Sequence, residues 1–117
     1  MDITIYHNPN CSKSRQTLEM ITGAGEDPTI IEYLKEPPNR ETIQRILQYL
    51  GISALDLVRT KEPAFAALNL NADDIGEEVI IDAMIAHPIL IERPIVVAEG
   101  KAVIGRPPEN VLAIIGQ

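Results

Sequence analysis

Tryptophan is absent from this 117-residue chain, and aromatic side chains make up only 3% of it. The core must therefore be aliphatic, built from Ile, Leu, Val and Ala, and the 45% hydrophobic content is enough for one. Positive charge is scarce. Ten Lys and Arg face seventeen Asp and Glu, for a net charge of −7. That balance excludes general binding to nucleic acid or to anionic membranes, both of which need a basic face. An anionic substrate would need local positive charge gathered against the overall field. Cysteine occurs once, at Cys11. One cysteine excludes an internal disulfide framework and a cysteine-only metal site, and it suits a reducing cytoplasm. Long hydrophobic runs are missing too. The most apolar stretch, Val79–Ile91, is interrupted by Asp82, His87 and Pro88 and is too short and polar to span a bilayer. The chain enters a β-run directly, without the charged and apolar regions of a signal peptide, so a cytoplasmic protein is expected.

What is present is a specific context for that cysteine. Residues 2–6 alternate as a half-buried strand, Asn8-Pro9-Asn10 reads as a turn, and a helix is expected from Ser12 to Ile21, closed by Gly23 and Gly25. Cys11 thus stands where a turn becomes a helix. Backbone N–H groups there lack intrahelical partners, and the helix dipole adds partial positive charge. Both stabilise a thiolate, and the same amides can hold an oxyanion. An unperturbed cysteine, with a pKa of about 8.5, is only ~3% ionised at pH 7, so such a position converts a small buried hydrophobe into a nucleophile.

Neighbours of Cys11 carry further chemistry. His7 lies on the same turn and can lower the thiol as an imidazolium, take its proton as a base, or simply hydrogen-bond the loop. Ser14, one helical turn on, can hydrogen-bond the sulfur or the backbone. Lys13 and Arg15 can add positive potential or be solvated. Cys11-Ser12-Lys13-Ser14 is a C-x-x-S pattern, in which no second thiol resolves a mixed disulfide, so an external thiol must do so. Thr17 stands where the loop of a thiol phosphatase would be closed by arginine, which excludes that loop. Oxyanion binding would then fall to arginines elsewhere, because guanidinium matches oxyanions bidentately. Arg59, Arg93 and Arg106 each lie in a loop or at an element boundary, with surface ion pairing as the ordinary alternative for each. Arg93–Pro94 is a candidate cis peptide.

Along the rest of the chain, Thr29–Leu34 reads as a second strand, completing a parallel βαβ unit. Asn39 can cap a helix with Ile43, Ile46, Leu47 and Leu50 on one face, ended by Gly51. Ser53 can cap a short helix through Val58, Ala64–Leu68 forms another, and Asn71 or Asp73 can start one carrying Val79, Ile80, Ala83 and Met84. Pro94–Ala98 and Lys101–Ile104 form a hairpin about Glu99-Gly100. Gly105-Arg106-Pro107-Pro108 opens a last helix with Val111, Leu112 and Ile115 inward. The expectation is α/β: a single domain over 1–117, βαβ plus ββα in a thioredoxin-like arrangement, with a helical insertion at about 39–91.

His7-Asn8-Pro9-x-Cys11-x-x-Ser14-Arg15, Glu32-Tyr33-Leu34, Pro37-Pro38, Leu57-Val58-Arg59-x-x-Glu62, His87-Pro88-Ile89-Leu90-Ile91-x-Arg93-Pro94-Ile95-Val96-Val97 and Gly105-Arg106-Pro107 together resemble the glutaredoxin-coupled arsenate reductase family, over essentially the whole chain. The resemblance is to its shorter members. The sequence ends at Gln117 without the tail of longer ones, and Gly105 stands where some of those place a cysteine. The resemblance implies a cytoplasmic enzyme of arsenic detoxification, reducing arsenate to arsenite with glutathione as co-substrate and glutaredoxin as partner. It implies no bound metal or organic cofactor. Cys11 falls on the family's nucleophile, His7 and Ser14 on the residues that favour its thiolate, and Arg59, Arg93 and Arg106 on the oxyanion-binding arginines. Two alternatives stay open: a glutathione-dependent thiol–disulfide oxidoreductase, and an Spx-type RNA polymerase-binding regulator, several of which carry a C-x-x-C near the N-terminus that Ser14 breaks in this chain.

Overall fold

The computed structural model describes residues 1–72 and 74–115. The chain divides into two compact units. One comprises Met1–Glu36 and the chain from Arg93 onward; the other comprises Pro37–Glu92.

The first unit is built on β1 (Ile3–His7), β2 (Thr29–Glu32), β3 (Ile95–Ala98) and β4 (Lys101–Ile104). Their order in the sheet is β2-β1-β3-β4. β1 pairs parallel to β2, with His7 level with Glu32, and antiparallel to β3, with Ile5 level with Val96. β3 and β4 form the expected hairpin. Its turn residues Glu99 and Gly100 both have positive φ, 52° and 79°, the backbone that matches a tight two-residue connection to the twist of its strands. Side chains alternate along β1, so Ile3, Ile5 and His7 are the buried set. Ile3 and Ile5 pack in an aliphatic core with Ile21, Val96, Ala98, Val111, Ile114 and Ile115. His7 continues the same face at the end of the strand, which is how β1 delivers an imidazole to the start of the helix that follows.

That helix, α1, runs over Ser12–Gly23. It closes in a Schellman arrangement: Gly25 N–H bonds to Thr22 O and Glu26 N–H to Ile21 O, with Gly25 at φ +85°. The expected last helix is instead a 3-10 segment, Pro108–Ala113. Pro107 and Pro108 bring no N–H to an α-type ladder, and the segment closes by Asn110 N–H to Pro107 O and Ile114 N–H to Val111 O. A period of three puts Val111 and Ile114 on one face, so Leu112 points outward at 41% exposure, contrary to the helical spacing.

The second unit is helical. It contains α2 (Arg40–Leu50), α3 (Ala54–Leu57), α4 (Pro63–Ala67), α5 (Glu77–Ala86) and a 3-10 turn, Pro88–Leu90. Asn39 Oδ1 accepts from Thr42 N–H at 2.8 Å, and Gly51 ends α2 at φ +70°. Ser53 stands at the N-cap of α3, but its hydroxyl donates to Asp56 Oδ2 and accepts from no backbone N–H of the helix. The N-cap of α5 is Gly76, later than Asn71; the other candidate start, Asp73, lies outside the described residues. Its buried face is Ile80, Ile81, Ala83 and Met84, while Val79 is exposed. Among the described residues no helix is long and apolar enough to cross a membrane.

Candidate active site

The loop between β1 and α1 is tied by its own backbone. Cys11 N–H bonds to Asn8 O at 3.0 Å across the Pro9-Asn10 turn, and Asn8 Oδ1 accepts from Asn10 N–H. Proline sets φ at the first corner and the asparagine side chain closes the second, so the local sequence dictates where the thiol goes. Cys11 is the N-cap of α1, with extended backbone at φ −105° and ψ 123°. It is buried, at 8% exposure.

Burial by itself pushes the Cys11 thiol up, because a thiolate is poorly solvated there. Several groups together outweigh that effect and hold the thiol below its ordinary value. They are the Ser14 N–H, the charge of Arg93, a hydrogen bond from the Arg93 side chain and the Lys13 N–H. The orphan amides of the first helical turn and one half-buried guanidinium thus act on the same sulfur. Arg106 Nη2 lies 3.8 Å from Sγ, at the outer limit of a hydrogen bond to sulfur, and is not among the groups that hold the thiol down.

Arg93 and Arg106 are joined to each other. Arg106 Nε donates to the carbonyl oxygen of Arg93 at 2.8 Å. Both precede a cis-proline, at Arg93–Pro94 and Arg106–Pro107. The sequence points to the first of these bonds and gives no sign of the second. Asn110 Nδ2 donates to Ile104 O and Arg106 O, both at 3.1 Å, and so fixes the turn that carries Arg106. Gly105 makes a close approach there. A Cβ added to it would sit 2.5 Å from Thr17 Oγ1 and 2.8 Å from Pro94 Cγ, so glycine lets this turn lie against α1. Neither Asn110 nor the Thr17–Gly105 contact carries a signal in the sequence.

His7 meets Ser14, with Nδ1 2.6 Å from the hydroxyl oxygen, both side chains being buried. The same oxygen accepts from Asn8 N–H at 3.1 Å. The Ser14 hydroxyl therefore secures the loop, while its backbone amide serves the sulfur. Burial lowers the His7 pKa; Glu32, level with it on β2, opposes that, and Arg15 reinforces it. The imidazole is accordingly neutral at pH 7.

The structure brings His7, Cys11, Ser14, Arg93 and Arg106 together in the first unit. Arg59 belongs to the second. There its N–H bonds to Leu90 O at 2.6 Å, beside the Val58–Ile91 bridge, and its guanidinium pairs with Glu62 at 2.5 Å and Glu92 at 3.8 Å.

A β2-β1-β3-β4 sheet with an acidified thiol capping α1 defines a thioredoxin-like protein with an activated cysteine. Residues 6–114 match the ArsC family, and the chain belongs to it. It is 46% identical over 114 residues to the arsenate reductase of Escherichia coli, covering 97% of this chain and 81% of that protein. It is 50% identical over 115 residues to the uncharacterized protein YfgD of the same organism, covering 97% of each. The structure of an arsenate reductase from Vibrio cholerae superposes with a TM-score of 0.95 at 45% identity, over 97% of this chain and 98% of that one.

Proposed function

We propose that this chain reduces arsenate to arsenite through Cys11. The observation that carries the proposal is the buried Cys11 thiol at the start of α1, held below its ordinary value by two helix-end amides and Arg93. The reductase relatives add the substrate.

Arg93 and Arg106 hold the arsenate oxygens, and the resemblance to the family gives Arg59 as a third oxyanion-binding arginine. The Cys11 thiolate attacks arsenic. An S–As bond forms, an As–O bond breaks, and the oxygen leaves protonated as water. Glutathione thiolate then attacks the Cys11 sulfur. An S–S bond forms and the S–As bond breaks, leaving its electron pair on arsenic, which departs as arsenite. Ser14 cannot resolve the Cys11–glutathione disulfide, so glutaredoxin takes up the glutathione and frees Cys11. His7, neutral through burial, holds the Ser14 hydroxyl and with it the loop. No resident metal or organic cofactor takes part, and the reducing cytoplasm supplies the thiols.

Arsenate and phosphate nearly coincide in shape and charge. Selectivity then lies in the easier thiolysis and reduction of arsenic, and phosphate competes for the site. The test is arsenite release with glutathione and glutaredoxin, run beside Cys11→Ser. Release above the Cys11→Ser background is expected, and its absence overturns the proposal.

A further inference from the structure

Arg15 takes no part in these steps. It is the basic first-turn residue of α1 that shares a face with Cys11, being about 40° from it around the helix, whereas Lys13 is turned away by about 200°. Arg15 is exposed, yet its guanidinium is not loose: Nη1 donates to Pro9 O at 2.8 Å, across the turn that carries the thiol. Arg40, Arg45 and Arg59 each pair with a carboxylate. Among the described residues Arg15 has no such partner, in a chain with an excess of acidic groups. Its charge reaches the site, since it acts on His7, but it is not among the groups that hold the Cys11 thiol down. It is therefore a cation fixed on the turn that carries the thiol and, among the described residues, used by neither the thiolate nor a carboxylate.

We propose that Arg15 is the specificity residue for the reducing thiol, binding a carboxylate of an acidic thiol peptide such as glutathione as it meets Cys11. This rests on the reading that an external thiol attacks at Cys11. The guanidinium is exposed and tied to Pro9 on the turn that carries the thiol, so a carboxylate of the incoming peptide can be held there while its thiol approaches Cys11.

The step can be followed without arsenate. Cys11 thiolate attacks a disulfide, one S–S bond breaks as another forms, and a thiolate leaves. The experiment measures the rate of the Cys11 mixed disulfide, by intact mass, with oxidised glutathione and with the neutral bis(2-hydroxyethyl) disulfide. It compares the parent chain, Arg15→Gln and Lys13→Gln. Arg15→Gln is expected to slow the glutathione reaction about three- to tenfold, the range between an exposed ion pair and a charge-assisted fork. The neutral disulfide should react at the parent rate. Lys13→Gln removes the same charge from the other face, keeps the backbone N–H that serves the sulfur, and should leave both rates within about twofold. Equal slowing with both disulfides, no slowing with either, or a Lys13→Gln effect as large as that of Arg15→Gln each overturns the proposal. Failure to release arsenite while the Arg15 dependence holds would overturn the arsenate reading and leave this one standing.

Discussion

Arg93→Gln tests the electrostatics of the site most directly. The substitution removes both the charge and the side-chain hydrogen bond that Arg93 places on the Cys11 sulfur, and keeps the carbonyl that positions Arg106. Arg93 is half-buried. A hydrogen bond to a charged partner in such a place contributes about 1.5–3 kcal/mol. The thiol therefore rises toward its ordinary value, and less of it is thiolate on the acid side of its titration. The remaining thiolate is more basic and more nucleophilic, with a Brønsted coefficient of about 0.4–0.5, which returns nearly half of the loss on a logarithmic scale. Alkylation of Cys11 by iodoacetamide, measured on the acid limb of its pH–rate profile, should slow about four- to fifteenfold. At a pH well above the titration the variant should match the parent or slightly exceed it. Arg93→Lys, which keeps charge without the fork, should recover part of the rate. Arg106→Gln should slow alkylation less, because its contact with sulfur is 3.8 Å long. An Arg93→Gln chain alkylated at the parent rate on the acid limb, with an unchanged circular dichroism spectrum, would refute this role for Arg93.

Ser14→Ala deletes a fully buried hydroxyl that serves His7 Nδ1 and Asn8 N–H, and should cost about 1–3 kcal/mol, read as a lower urea midpoint; an unchanged midpoint would show that water replaces it freely. Stability should also rise with pH in a definite way. Cys11 and His7 both titrate lower in the fold than in the unfolded chain, so the unfolded state binds more protons between the two values. Each contribution is complete above the ordinary pKa of its group, about 6.5 for histidine and about 8.5 for cysteine, and is lost as pH falls through the folded value. Urea midpoints should climb through neutral pH and level off above about pH 8.5, and Cys11→Ser should remove the upper part of the climb. Midpoints that fall between about pH 6 and 8 contradict a lowered Cys11 and a lowered His7 alike.

The relatives with reductase names make the sequence motifs readable as a family, yet the physical content of those motifs is uneven. The strand–turn–helix context of Cys11 is local, so the sequence dictates it. Proline and asparagine shape the turn, and any thiol at a helix N-cap meets the same orphan amides. Helix ends are legible where one residue suffices, as Asn39 and Gly51 do for α2. They are not where tertiary context chooses among candidates, as at Asn71 and Gly76 before α5. Helical spacing also misplaces Leu112 and Val79, because the spacing of apolar residues does not reveal a 3-10 period or which side of a short helix is covered.

By itself, then, the chain's sequence determines the thioredoxin-like element order, an aliphatic core, and a lone thiol that cannot resolve its own disulfide. These follow from local backbone preference, from composition and from Ser14 in place of a second cysteine. Which groups set that thiol is a tertiary matter. That Ser14 acts on sulfur through its amide and on His7 through its hydroxyl depends on where β1 ends against α1. Arg93 and Arg106 reach Cys11 from about ninety residues away, because β3 pairs antiparallel to β1 and Gly105 lets the next turn close on Thr17. Sequence distance carries no information about such contacts; the register of the sheet and the space left by a missing Cβ decide them.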